Sequence, residues 1–106
     1  MQYSLVYMTA GSMDEASRIG KALVEEKLAA CVNLISGMKS IYRWKDKIEE
    51  DTEVVLIAKT KKSLVGEMTS RVKKMHSYEC PCIISFSIQP GNEDFLQWIS
   101  AETRGA

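Results

Sequence analysis

The chain has 106 residues, of which 45% are hydrophobic and 26% charged, an ordinary composition for one soluble domain over residues 1–106. Such a domain buries roughly 65% of its unfolded surface, enough for a core that needs no disulfide or metal staple and no cofactor to fold. Lysine and arginine total 14 against 14 aspartate and glutamate, so the net charge is zero and the basic excess of a nucleic-acid binder is missing.

Apolar runs such as Val54-Val55-Leu56-Ile57 fall far short of the ~20 residues that cross a bilayer, which argues against a membrane partner. The N-terminus lacks the basic start and apolar stretch of a signal peptide, and three cysteines make a poor disulfide framework. A cytoplasmic, reducing location with free thiols is the expectation.

Gln2 to Thr9 is rich in Tyr, Val and Leu and stops at Gly11-Ser12, which reads as the first strand. Ser12 with Glu15 forms a capping-box pattern, and Ala16, Ile19 and Leu23 carry a helix to about Lys27. Residues 29–61 contain no proline and have strand formers on both sides of Lys45-Asp46, predicting a hairpin of two strands of about 15 residues. Ser63 is the expected cap of a second helix through Val65, Met68, Val72 and Met75. Ile83 to Ile88 reads as a fourth strand ended by Pro90-Gly91, and Asn92 caps a short last helix with Phe95, Leu96, Trp98 and Ile99.

The order predicts an α+β fold, a ferredoxin-like βαββαβ sandwich with a long β2-β3 hairpin and a short C-terminal helix. Two helices should cover one face of the sheet. A 15-residue strand spans about 50 Å, whereas a domain of this length is roughly 34 Å across, so the hairpin should overhang its own domain. Met38, Ser40, Tyr42 and Trp44 alternate onto one side of the overhang, and such a surface needs a partner, most simply another copy. The competing expectation is a bulge at Ser36-Gly37 that folds the hairpin back on its sheet.

Leu28-Ala29-Ala30-Cys31-Val32-Asn33, Ser40-Ile41-Tyr42-Arg43-Trp44, Lys59-Thr60, His76-Ser77-Tyr78-Glu79-Cys80-Pro81, and Gly91 with Phe95-Leu96-Gln97-Trp98-Ile99 occur in order across nearly the whole chain. In these stretches the sequence resembles the divalent-cation tolerance (CutA) family. The resemblance implies a ferredoxin-like protomer in a homotrimer with sheets joined edge to edge, usually cytoplasmic in microbes. It also implies a part in tolerance to copper and other divalent cations, with no established reaction. The family trimer is similar in architecture to the PII signalling proteins, which keeps open a scaffold or small-ligand sensor using clefts between subunits. Many relatives have glycine where this chain has Asp46. Some have cysteine at the position of Met8 and two adjacent histidines where this chain has Met75-His76, so only His76 carries over from that proposed copper site.

Met8, Met75 and His76 are candidate ligands for a copper ion, two thioethers and an imidazole being soft enough to favour Cu(I). The competing role is core filling by the methionines and a hydrogen-bonded loop histidine. Cys31 sits among small residues and reads as a buried thiol; Cys80 and Cys82 flank Pro81 and offer a weak two-thiolate site. Tyr78, Glu79 and Lys59, with Tyr42 and Trp44, are candidates for an inter-subunit cleft or interface. Phosphate loops, nucleophile elbows and H-E-x-x-H helices are absent from the sequence, and the expectation is a protein that is not an enzyme.

Overall fold

The computed structural model describes residues 1–105. The elements run β1 (Tyr3–Ala10), α1 (Met13–Glu25), β2 (Cys31–Trp44), β3 (Lys47–Lys61), a 3-10 turn (Lys62–Leu64), α2 (Val65–Met75), β4 (Ile83–Ser87) and α3 (Glu93–Glu102). The sheet has the order β2-β3-β1-β4 and every neighbouring pair is antiparallel, as a ferredoxin-like βαββαβ fold requires.

Alternation decides which side chains meet the helices. Val6, Met8 and Ala10 of β1 face the same way as Val54, Leu56 and Ala58 of β3. They pack on Ala16, Ile19 and Leu23 of α1, Leu64 of the 3-10 turn, and Met68 and Val72 of α2, all buried. The two helices therefore cover one face of the sheet. The opposite face carries Leu5 and Tyr7 of β1, Val55 and Ile57 of β3, Ile35 of β2, and Ile84 and Phe86 of β4. Ile35, Ile84 and Phe86 are each at least half exposed. The far end of that face is covered, where α3 packs Leu96 and Ile99 against Ala30, Tyr3 and Ile88, and Thr9, Glu53 and Val55 are buried nearer the arm.

The hairpin overhangs, giving the molecule a long axis of 44 Å against 25 and 21 Å. Lys45 and Asp46 both take left-handed φ, +50° and +66°, as a tight two-residue turn needs. The register slips between Ile35 and Met38, where Gly37 has φ +80°, so the expected bulge is present. It bends the hairpin without ending it, because pairing resumes at Met38 opposite Glu53 and continues to Trp44 opposite Lys47.

Two local readings are corrected. Ser63 does not cap α2: residues 62–64 first wind a 3-10 turn, and Leu64 holds the N-cap position with no side-chain bond. Helix α1 ends at Glu25, and Lys27 with φ +58° turns the chain toward β2.

A candidate functional site at the base of the hairpin arm

The end of β1, the start of α1 and the loop after α2 meet beside the root of the arm. Ser12 caps α1 by accepting a hydrogen bond from the Glu15 amide at 3.2 Å. In a reciprocal capping box the Glu15 carboxylate would return to the cap residue. Here it accepts instead from the Ser77 amide at 2.7 Å and the Gly11 amide at 3.4 Å, and its Oε2 lies 3.8 Å from His76 Nδ1. Burial pushes its pKa up, but the bonds from Ser77 and Gly11 outweigh that and hold it below the usual carboxylate value.

His76 is fastened at both ends. Its Nε2 lies 2.7 Å from the Thr9 carbonyl, which only an Nε2–H can satisfy, and Nδ1 accepts from the Tyr78 amide at 3.1 Å. This fixes the neutral Nε2–H tautomer with both nitrogens engaged. The Tyr78 ring lies against it with centroids 4.6 Å apart and would meet a Cβ at Gly11 at 3.2 Å, so glycine there lets the tyrosine approach. The Tyr78 hydroxyl donates to Glu53 at 2.8 Å; burial first, and then that carboxylate, raise its pKa.

The predicted copper trio is not presented as a set of free ligands. Met8 is 1% exposed inside the core and Met75 packs against the same apolar cluster, as gap-filling thioethers do. His76 would have to give up a protein hydrogen bond to bind a metal. Among the described residues, no three His, Cys, Asp or Glu side chains are grouped as metal ligands. All three cysteines are free, with Cys80 exposed and Cys31 and Cys82 partly exposed. Cys31 is thus less buried than its neighbours suggested, because it lies on the helix-free face opposite Lys59. Burial, then the Glu53 charge, push the Cys82 thiol up.

The cleft candidates divide between the two ends of β3. Lys59 donates to Asn33 at 2.7 Å and lies 5.8 Å from the Phe95 ring centre, beside α3. Thr60 faces the opposite side and donates to the Leu28 carbonyl at 2.7 Å. Tyr78 is at the arm's root, and Glu79 lies 4.0 Å from Lys45 at the arm's tip. Lys59 is six residues from Glu53, about 20 Å along an extended strand, so one chain cannot bring it to Tyr78 or Glu79. Tyr42 and Trp44 are each 40% exposed on the arm. The Tyr42 hydroxyl bonds Asp51, which together with its acidic surroundings raises its pKa to about 12.

Sequence reasoning did not single out Glu15 or Glu53 as buried carboxylates, nor Lys61 as a buried lysine. Glu15 carried a signal in its capping position; Glu53 and Lys61 were visible only as odd-numbered members of a strand whose even members fill the core.

The profile of the CutA1 divalent ion tolerance protein family matches residues 4–102. The chain belongs to that family. It is 46% identical over 97 residues to the Archaeoglobus fulgidus divalent-cation tolerance protein CutA, covering 92% of this chain and 94% of that one. It is 44% identical to the human protein CutA over 94% of this chain but only 56% of the human chain. The solved structure of CutA1 from Oryza sativa superposes with a TM-score of 0.97 at 37% identity, over 100% of this chain and 97% of that one. CutA relatives are not confined to one compartment: the solved Archaeoglobus protein is described as periplasmic and a rice relative as chloroplastic. No helix among the described residues is long and apolar enough to cross a membrane.

Proposed function

We propose that this CutA protein serves divalent-cation tolerance as a cytoplasmic homotrimer without a catalytic reaction of its own. The observation that carries the assembly is the helix-free face of the sheet, where Ile35, Ile84 and Phe86 stand exposed beside Leu5, Tyr7 and Ile57 and continue onto Tyr42 and Trp44 of the arm. A monomer would leave those apolar side chains in water. Within the trimer, Cu(I) contact is weak and runs through the exposed Cys80 with Cys82, since His76 already serves the fold. The three free thiols suit a reducing compartment.

A second reading, a PII-like scaffold or small-ligand sensor, draws support from the separation of Lys59 from Tyr78 and Glu79, which only a neighbouring copy can bridge. Ile84→Asp tests the assembly by placing a charge on the bare face and not in the core. The expected product is a folded chain of about 12 kDa by light scattering. An Ile84→Asp protein that remains as large as its parent refutes burial of this face.

A further inference from the structure

A cleft of about 380 Å³ opens on the helix side of the sheet, between the end of α1, the outer face of α2 and the segment that follows α3. Helical spacing puts Glu67, Ser70, Arg71 and Lys74 together on that face of α2, while Met68 and Val72 turn into the core. Past α3 the chain crosses to the end of α1, where the Arg104 amide donates to the Lys27 carbonyl at 3.0 Å, and this carries the Arg104 side chain into the same cleft. Two carboxylates hold the guanidiniums in place. Arg71 donates to Glu26 from Nε at 2.9 and 3.1 Å and from Nη2 at 3.0 Å, and Arg104 donates to Glu67 from Nη2. Nη1 of Arg71, and Nε and Nη1 of Arg104, lie outside those pairs. The Arg71 hydrogen bond, and then the charges of Arg71 and Arg104, hold Glu26 below its ordinary 4.5 against the opposing effect of burial, so both guanidiniums act at one point. Lys74 has no carboxylate within ion-pair distance among the described residues. Arg71, Lys74 and Arg104 against Glu26 and Glu67 leave one positive charge in excess.

We propose that this cleft binds a small organic phosphate, with the phosphate group held by Lys74, Arg71 and Arg104. Lys74 supplies an uncommitted ammonium, the two arginines supply the N–H groups that their carboxylates leave over, and the Ser70 hydroxyl lines the cleft beside them. Such donors make charge-assisted bonds to an oxyanion, and three cations match the three terminal oxygens of a phosphate monoester better than the two of a carboxylate. Glu26 and Glu67 fix the guanidiniums beforehand, so less side-chain freedom is lost when the ligand arrives. The volume lies within the range of small-molecule sites and leaves room for an organic group beyond the phosphate. At Gly66 nothing lies within 4 Å of the place a Cβ would take, so the organic part has space there. Every group comes from one chain and stands on the helix side, so the site goes beyond the assembly reading and does not depend on it.

The test is a titration of the full 15N-labelled chain with glycerol 3-phosphate at constant ionic strength, read from the amide shifts. The expected result is saturable shifts centred on Ser70, Arg71, Lys74 and Arg104. Lys74→Ala, which breaks no ion pair, should weaken binding by roughly tenfold, the worth of a hydrogen bond to a charged group. Lys73→Ala removes a neighbouring cation that does not line the cleft and should leave the titration unchanged. Inorganic phosphate should bind several-fold more weakly than the ester, and acetate more weakly again. Circular dichroism checks that each variant is folded. Shifts that never saturate, that spread evenly over the exposed lysines, or that weaken equally in Lys73→Ala and Lys74→Ala would show general ionic attraction and overturn the site. Inorganic phosphate binding as tightly as the ester overturns the organic part of the proposal, and acetate binding as tightly overturns the choice of phosphate. The titration reads groups of one chain, so its failure is separate from any failure of the trimer.

Discussion

Replacing Glu15 by glutamine keeps the shape of a buried side chain and removes its charge. The carboxylate accepts from the Ser77 amide at 2.7 Å and the Gly11 amide at 3.4 Å, and the residue is 6% exposed. A glutamine offers one oxygen and turns an NH2 group toward the second amide, so one charge-assisted bond is lost and a donor faces a donor. Such a bond is worth about 1.5–3 kcal/mol, and a loss of about 2 kcal/mol corresponds to roughly 30-fold faster local opening. Amide exchange at Ser77 and Tyr78 reads that opening directly, without the concentration dependence that assembly imposes on a melting temperature. The pH dependence adds a second readout. Glu15 has a folded pKa below its ordinary 4.5, so its contribution is complete above that value and disappears as pH falls through the lower folded value. As pH falls below that ordinary 4.5 the parent should lose stability that Glu15→Gln has already lost. Unchanged exchange at Ser77, with parallel acid profiles for the two proteins, would refute the claim that this carboxylate holds the loop after α2.

Three further expectations concern the arm and the thiols. Asp46→Gly, at φ +66°, should leave the fold intact and raise stability by up to about 1 kcal/mol in thermal unfolding; a loss would show that the aspartate does more than tolerate the turn. Thiol counting should give three per denatured chain, and in the native protein Cys80 should react before Cys82, whose thiol is raised by burial and Glu53; the reverse order would contradict the placement of the two. Anaerobic Cu(I) competition should show weak uptake that Cys80→Ser with Cys82→Ser abolishes and His76→Ala preserves, with chelation leaving the assembled mass unchanged; uptake lost on changing His76 would reassign the ligand.

The backbone plan was legible because each element carried its own periodicity. Alternation around Lys45-Asp46 placed the hairpin to within a residue or two, and the spacing of Ala16, Ile19 and Leu23 gave the buried stripe of α1. The helix cap at Ser63 was misread because a serine before an apolar run signals a cap equally well when a 3-10 turn comes first. The site was harder to see. His76 and Tyr78 stood out as residue types, but their roles depend on Thr9, Glu15 and Glu53, residues 25 to 67 positions away that only the folded chain brings near. The surroundings of the metal candidates were hidden for a related reason: strand parity turns Met8 into the core, whereas the Thr9 carbonyl, one residue on, holds the imidazole. Free cysteines were expected from their odd number, and the partly exposed Cys31 followed from its parity with Lys59, a fact of register that composition does not carry.

Everything proposed for the arm and the helix-free face depends on copies of the chain meeting there, so the absolute mass of the unaltered protein is the most direct measurement. Light scattering across the micromolar range, in the presence of a chelator, should give about 36 kDa, three times the 11.9 kDa of one chain. A mass of 11.9 kDa at those concentrations would contradict the account, because it would show that the exposed Ile35, Ile84, Phe86, Tyr42 and Trp44 are an ordinary surface of a monomer.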